Sequence, residues 1–187
     1  ELAERFPEKL ILLGAEPDGA ESDYGWIEPG PKPKAGISMS HFVVRDVLSF
    51  HEKPTSADAR DFFDAGFLWN TMIVVAKVKA LQKLGRQFMP EMMDRFEKLG
   101  EVLRALPQDS INGTDENVAL LQSYVDLKSG NFSRDLLEPA AGQILVSPMA
   151  DVGWSDWGRP SRIVESLDRI GVAPNFPLSC IDPFTGS

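Results

Sequence analysis

The amino-acid sequence predicts an α/β fold with a helical lobe, and three observations carry that prediction. Short apolar runs bounded by Gly and Pro recur at Lys9–Leu13, Tyr24–Glu28, Ser40–Phe50 and Phe67–Ala76, in the length range of buried or half-buried strands. A short helical segment separates the last two of these runs, giving a strand–helix–strand unit. Three amphipathic segments then follow one another from Ala76 to Lys128 with no strand between them, as helices packed beside a sheet would.

The N-terminal Glu1–Phe6 reads as the tail of a helix already under way, which suggests a chain cut from something longer. Lys9–Leu13 ends at Gly14 as a buried strand, and Ala15–Asp23, with Pro, Gly and acidic residues, reads as a loop. Tyr24–Glu28 is an aromatic strand with Gly25 inside it, a residue that in strands marks a bulge or the close approach of a ligand to the backbone. Pro29–Gly36 has the composition of a mobile hairpin tip, and Ser40–Phe50 is the long strand that leads to Glu52.

Pro54 stops that strand, because it lacks an N–H and biases Lys53 toward an extended backbone. Thr55 or Ser56 can cap the following short helix, which closes near Gly66. The chain returns to the sheet at Phe67, so Glu52, Lys53 and Asn70 are expected at neighbouring sheet ends. In Ala76–Leu84 the residues Val78, Leu81 and Leu84 recur at helical spacing, with Gly85 as a stop. Pro90 starts a helix to about Leu106 with Met92, Met93, Phe96, Leu99, Val102, Leu103 and Leu106 as its buried stripe.

Pro107–Gly113 is a loop. Thr114–Lys128 is a further helix expected to bury Val118, Leu121, Tyr124 and Val125. Ser133–Glu138 is a short capped helical turn, Gln143–Pro148 a strand, and Ser161–Ile170 a last helix begun by Pro160 and closed by Gly171. The whole, residues 1–187, reads as one domain, with a helical lobe over residues 77–130 and an irregular tail over 172–187.

Composition bounds the function. With 187 residues, 43% hydrophobic and 25% charged, the chain is ordinary for a soluble domain with a substantial core. Its net charge of −9 argues against non-specific nucleic-acid binding, which needs clustered Lys and Arg. An anionic substrate would have to be met by local positive charge or by a metal ion. The longest strong apolar run, Met72–Ala76, is far too short to cross a bilayer, and no signal-peptide pattern opens the chain. A lone cysteine, Cys180, permits no internal disulfide and suits a reducing, cytoplasmic setting; with only two His it argues against a Cys/His zinc site. The sequons Asn112-Gly113-Thr114 and Asn131-Phe132-Ser133 lack the secretory context that would give them meaning.

Glu52-Lys53-Pro54 alone reads as an ion pair at a strand end. Trp69-Asn70 adds weight, since Asn is disfavoured within strands. Gly153-Trp154-Ser155-Asp156-Trp157-Gly158 is the more specific piece: two glycines and two tryptophans around one carboxylate suit a shaped loop presenting an acid, and a purely structural aromatic turn is its alternative.

Taken together, Tyr24-Gly25, Glu52-Lys53-Pro54, Gly66 to Asn70, Ser133 to Glu138 and Gly153 to Gly158 occur in the order of the motifs of sugar-nucleotide pyrophosphorylases, a nucleotidyltransferase family. The pattern most resembles the mannose-1-phosphate guanylyltransferases and covers the chain up to Ile170. The resemblance implies the C-terminal part of a nucleotide-diphospho-sugar transferase (Rossmann-like) fold, with a mixed, mostly parallel sheet, flanking helices and the inserted helical lobe. It implies attack of a sugar 1-phosphate, mannose 1-phosphate foremost, on the α-phosphate of a nucleoside triphosphate, GTP foremost, to give a nucleotide sugar such as GDP-mannose and pyrophosphate.

By the same resemblance Lys53 and Asp156 are the catalytic residues, and Tyr24, Gly25, Glu52, Lys53, Trp69 and Asn70 bind substrate. Gly25 offers its backbone to the sugar, Glu52 accepts from ring hydroxyls, Lys53 pairs with the sugar phosphate and Asn70 hydrogen-bonds the sugar. Asp156 holds Mg²⁺ with a second acid from earlier in the fold. Two polyanions must meet in line, and a divalent ion and a lysine offset their repulsion.

The chain departs from the pattern in four ways. The Gly-rich triphosphate loop is absent, Thr71 and Met72 replace small residues after Trp-Asn, Pro139 follows Glu138 where Lys is common, and Trp157 replaces a smaller residue. The chain is therefore expected to supply the sugar-binding half and to be inactive alone. Its partners would be the sugar 1-phosphate and the nucleoside triphosphate, with no nucleic acid and no membrane; a homo-oligomer is compatible with the sequence. A catalytically silent module that binds a sugar nucleotide or a partner subunit is the alternative. A third reading, a glycoside hydrolase using Glu52 with another acid, needs two carboxyls roughly 5–10 Å apart, and Lys53 beside Glu52 would weaken a general acid.

Overall fold

A computed structural model describes residues 1–32, 43–107, 113–125 and 127–177. The tip of the expected hairpin at Pro29–Gly36, the start of the Ser40–Phe50 run, most of the Pro107–Gly113 loop with the first sequon, and Cys180 with the end of the tail lie outside the described residues.

The elements follow in the order α1 (Leu2–Arg5), β1 (Ile11–Ala15), β2 (Gly25–Pro29), β3 (Arg45–Glu52), α2 (Ser56–Asp64), β4 (Leu68–Val75), α3 (Val78–Phe88), α4 (Pro90–Ala105), α5 (Thr114–Val125), β5 (Leu145–Met149) and α6 (Pro160–Arg169). A π-helical turn at Ser133–Leu137 and a 3-10 turn at Ala141–Gln143 lie between α5 and β5.

The strand order is β1-β4-β2-β3-β5, and the sheet closes on itself because β5 pairs with both β1 and β3. The mostly parallel sheet expected from the sequence is not what forms. Among the described residues only β1–β5 is parallel; β1–β4, β2–β3, β2–β4 and β3–β5 are antiparallel. The strand–helix–strand unit also differs, since β2 inserts between β3 and β4 and pairs with both. The α2 connection thus crosses over one strand instead of joining neighbours.

Two apolar clusters pack on opposite faces of this sheet. Ile27, Phe50 and Leu68 join Leu10, Leu12 and Val146 and are covered by Ala80 and Leu84 of α3 and by Leu136 and Leu137 of the π-helical turn. Tyr24, Trp26 and Trp69 form the second cluster with Ala59 and Phe62 of α2 and with Trp154. Because successive residues of a strand point to opposite faces, the pairs Trp26/Ile27 and Leu68/Trp69 assign each cluster its side.

Thr55 proves to be the cap of α2, its hydroxyl accepting from the Asp58 N–H at 3.1 Å. The return to β4 passes through Gly66 at φ +76, a left-handed conformation that glycine adopts without strain. Gly85 does not stop α3, which continues to Phe88. A Cβ there would lie 2.7 Å from the Met93 sulfur, so the glycine is where α3 and α4 approach each other. The helix ends instead at Met89, whose successor Pro90 disfavours helical backbone.

The helical stripes are much less buried than their periodicity suggested. In α3 Val78 is 70% exposed, in α4 only Leu99 is buried, and in α5 Leu121 is 66% and Val125 77% exposed while Ala119 is buried. Periodicity marks which side chains share a face; whether another element covers that face is a property of the assembled chain.

Trp26 is wholly buried and its indole N–H donates to the Glu21 carbonyl at 2.8 Å. Trp26→Ala is expected to cost about 3–5 kcal/mol, the range for a large aromatic deleted from a core. Urea unfolding measures it, and a loss below about 1 kcal/mol, in the range of a surface substitution, would contradict the two-cluster core.

Candidate functional site

The register of β2 assembles a row of polar groups across three strands. Gly25 pairs with Glu52 of β3, and Trp26 pairs with Trp69 of β4, which sets Gly25 beside Asn70. A Cβ on Gly25 would lie 3.0 Å from Glu52 Oε2 and 3.2 Å from the Asn70 Cβ. No other residue type leaves that space between the two side chains. The row lies on the same face as Ile27, Phe50 and Leu68, two positions along each strand, so it caps the end of the larger core.

Elements from the far end of the chain complete this corner. The Glu138 carboxylate, just after the π-helical turn, accepts from the Glu52 N–H at 2.7 Å. Ser133, at the start of that turn, is 4% exposed, and its hydroxyl approaches the Met72 sulfur at 3.5 Å. Lys53 leaves β3 at φ +50, not with the extended backbone expected before Pro54, and its N–H donates to the Tyr24 carbonyl at 3.2 Å. A left-handed backbone at a non-glycine residue is strained, and such strain clusters at functional sites. The Lys53 side chain is exposed, and no carboxylate is paired with it among the described residues.

The opposite face holds a different construction. Tyr24 meets Trp69 and Trp154 edge-on, with ring centroids 4.8 and 5.2 Å apart. Beside them the Arg162 guanidinium lies over the Tyr24 ring at 4.4 Å and binds Asp156 at 2.7 Å, Asp23 at 3.1 Å and Glu21 at 3.2 Å. Arg162 is buried, and a buried cation is tolerated when it is paired and hydrogen-bonded in this way. Asp156 also accepts from the Gly158 N–H at 3.0 Å and from the Tyr24 hydroxyl at 3.4 Å.

Burial pushes the Asp156 carboxyl upward, but the Gly158 N–H and the Arg162 guanidinium outweigh it and hold the group below the usual carboxylate range. Burial raises the Tyr24 phenol, against the opposing effect of Arg162. The Trp69 indole N–H is buried without a partner among the described residues, a state that costs about 1–3 kcal/mol.

Of the residues singled out in the sequence, then, Gly25, Glu52 and Asn70 come together, with Lys53 at their edge. Tyr24 and Trp69 do not join them. Each neighbours a member of the row in sequence and therefore points to the other face. Asp156 stands with Tyr24 and Arg162 on that other face.

The donor set around Asp156 does not fit a divalent ion as placed: its carboxylate is engaged by a guanidinium, and the nearby acids Glu21 and Asp23 bind the same guanidinium. Among the described residues no cluster of three or more His, Cys, Asp and Glu side chains could hold a metal. Sequence reasoning missed Arg162 altogether, as an Arg two positions into a helix carries no signal of burial. Ser133 and Glu138 stand in a motif of the sequence, but nothing local to them signals that they reach this corner. A separate groove of about 750 Å³, lined by Met89, Met92, Lys98, Lys128 and Asp135 among others, includes no member of the row.

Gly25→Ala is expected to destabilise the chain by about 1–3 kcal/mol, the usual cost of overpacking, and thermal unfolding reads it; an unchanged midpoint would mean that Glu52 and Asn70 are not held where the register sets them. The depressed Asp156 carboxyl has a second consequence. A group whose folded pKa lies below its unfolded value of about 3.9 contributes stability above that pH and loses it as the pH falls through the folded value. The unfolding midpoint of the native chain should therefore fall more steeply below about pH 4 than that of Asp156→Asn. Parallel acid limbs would contradict the Arg162 pairing.

Comparison with known proteins agrees with this frame. The Nucleotidyl transferase family model matches residues 3–170. The mannose-1-phosphate guanylyltransferase of Escherichia coli K12 is 27% identical over 159 residues, covering 84% of this chain and 30% of the relative. That of Salmonella typhimurium LT2 is 25% identical over 163 residues, again covering 84% and 30%. The chain thus spans under a third of the length of these relatives. Among solved structures, one described as a mannose-1-phosphate geranyltransferase from Thermus thermophilus superposes with a TM-score of 0.64 at 22% identity, covering 89% of this chain and 42% of the other. A Helicobacter pylori mannose-6-phosphate isomerase does so at 0.57 and 18%, covering 83% and 54%. At those identities the structural likeness speaks to fold alone, an α/β fold. The family match extends over nearly all of the sequence, and on that ground the chain belongs to the nucleotidyl transferase family.

Proposed function

We propose that the chain binds the sugar 1-phosphate in the transfer of a nucleotidyl group from a nucleoside triphosphate, and that mannose 1-phosphate and GTP are the pair it serves. The observation that carries the reading is the row Glu52–Gly25–Asn70, a carboxylate and a carboxamide flanking a stretch of bare backbone. Adjacent hydroxyls of a hexose call for such a set: an acceptor, a group that can both donate and accept, and a surface without a side chain to hold the ring off. Lys53, exposed beside the row, supplies the positive charge that a phosphate needs on a chain of net charge −9.

In this proposal the chain's own residues bind and orient. Glu52 accepts from ring hydroxyls, its backbone pinned by Glu138; Asn70 hydrogen-bonds the sugar; Lys53 draws the phosphate to the strand end. Fixed polar partners of this kind hold the phosphate oxygen in the direction of attack, and orientation accounts for much of phosphoryl-transfer catalysis. The relatives' activity supports the reading, and the triphosphate would be bound by parts of the fold that the matched third of those relatives does not include. No step is assigned to a metal at Asp156.

A catalytically silent module that binds a sugar nucleotide or a partner subunit is the second reading, and the Asp156–Arg162 ion pair favours it, because that carboxylate is already neutralised within the chain. Adding GTP and mannose 1-phosphate and following pyrophosphate release separates the two: the silent module binds without turnover even when the full-length protein is used.

Calorimetry with mannose 1-phosphate and with glucose 1-phosphate tests the proposal directly. Glu52→Gln should weaken binding by about 1.5–3 kcal/mol, the range for hydrogen bonds to charged groups, and Lys53→Ala should weaken binding of the phosphate ester more than that of free mannose. Unchanged affinities in both variants would remove the row from the site.

A further inference from the structure

We propose that Met72 determines the specificity of the hexose subsite by closing it with its own thioether, so that a sugar hydroxyl reaches Asn70 only by displacing that sulfur. The inference rests on the reading of the row as a sugar site. Strand β4 bulges immediately after Asn70: on β1, Leu12 pairs with Val74 and Gly14 with Asn70, so that Leu13 faces Thr71, Met72 and Ile73 together. Thr71 stabilises the bulge, its hydroxyl donating to the Leu13 carbonyl at 2.6 Å and accepting from the Ile73 N–H at 3.3 Å.

At the crest Met72 adopts φ +58, a conformation in which a long side chain is strained and glycine is not. That strain places its sulfur 2.9 Å from the Asn70 Nδ2, while the Met72 N–H donates to the Asn70 Oδ1 at 3.1 Å. The buried Ser133 hydroxyl turns toward the same sulfur. Both polar atoms of the Asn70 carboxamide are therefore engaged by one residue two positions along, and the sulfur covers two buried polar side chains.

A thioether is a weak acceptor, so a hydroxyl would make a better partner for the Asn70 N–H than sulfur does. Met72 is also 52% exposed, and its unbranched chain can swing away without unpacking a core. The sulfur thus stands where the hydroxyl of a hexose 1-phosphate would bind. Only a ligand that offers a hydroxyl at that point repays its displacement. A hexose 1-phosphate whose hydroxyl points elsewhere leaves the subsite shut.

The test compares the native chain with Met72→Gly and with Met72→Leu, which keeps the bulk but has no acceptor. Exchange of the Asn70 side-chain amide protons, followed by NMR without ligand, should speed up in both variants. Mannose 1-phosphate should bind Met72→Gly about tenfold more tightly than the native chain, the worth of about one neutral hydrogen bond, whereas Met72→Leu should show no gain, and the preference for mannose 1-phosphate over glucose 1-phosphate should narrow in Met72→Gly. Unchanged amide exchange overturns the inference whatever the ligand does. Equal affinity of the native chain and Met72→Gly also overturns it and leaves the sugar-site reading standing. Faster exchange with no binding of either hexose phosphate to any of the three chains overturns the sugar-site reading itself, and the specificity role falls with it.

Discussion

Gly25 pairs with Glu52 on one side and sits beside Asn70 on the other, and this register fixes the faces of β2, β3 and β4. Strand register is all-or-none with respect to faces: a slip of one residue would carry Trp26 into the larger core and lift Gly25 out of the row. The two apolar clusters on opposite faces prevent that slip, since Trp26 and Trp69 fill one and Ile27 and Leu68 the other. The polar row is thus held in place by hydrophobic burial elsewhere on the same strands, and its members need few bonds to one another.

That arrangement explains why chemistry and packing separate so sharply along Tyr24–Ile27 and Leu68–Asn70. Odd and even positions belong to different faces. On one, Arg162 gathers Glu21, Asp23 and Asp156 under an aromatic lid, tying α6 and the Gly153–Gly158 loop back to the start of β2. On the other, Glu138 and the π-helical turn close against the end of β3. π-helical turns are uncommon and recur at functional sites, and this one delivers Ser133 and Glu138 to the corner where the row ends.

Much of this corner was legible before any coordinates. Gly25 within an aromatic strand, a cap at Thr55 or Ser56 and Gly66 as a left-handed turn are local signals with local causes, and each holds in the fold; the extended backbone that Pro54 favours at Lys53 does not, since Lys53 turns left-handed with its N–H on the Tyr24 carbonyl. The strand order was not legible, because nothing in the residues between Pro54 and Phe67 says whether the chain returns beside β3 or one strand further over. The resemblance places Tyr24 and Trp69 among the substrate-binding residues and Asp156 at a metal. Alternation along the strands separates the first two from the row, and the Arg162 pairing holds the third on the far face. The periodicity of α4 and α5 predicts buried stripes, whereas Leu121, Tyr124 and Val125 face outward, since amphipathic periodicity records an apolar face and not its cover.

The proposed site seats a phosphorylated hexose on the strand face that carries the row. The most direct measurement is a titration of the isotope-labelled chain with mannose 1-phosphate, following backbone amide chemical shifts by NMR. The largest shifts should fall at Gly25, Glu52, Lys53 and Asn70, with the amides of Trp154 to Arg162 little moved. Shifts concentrated at Asp156 and Arg162, or along the groove beside α4, would contradict it.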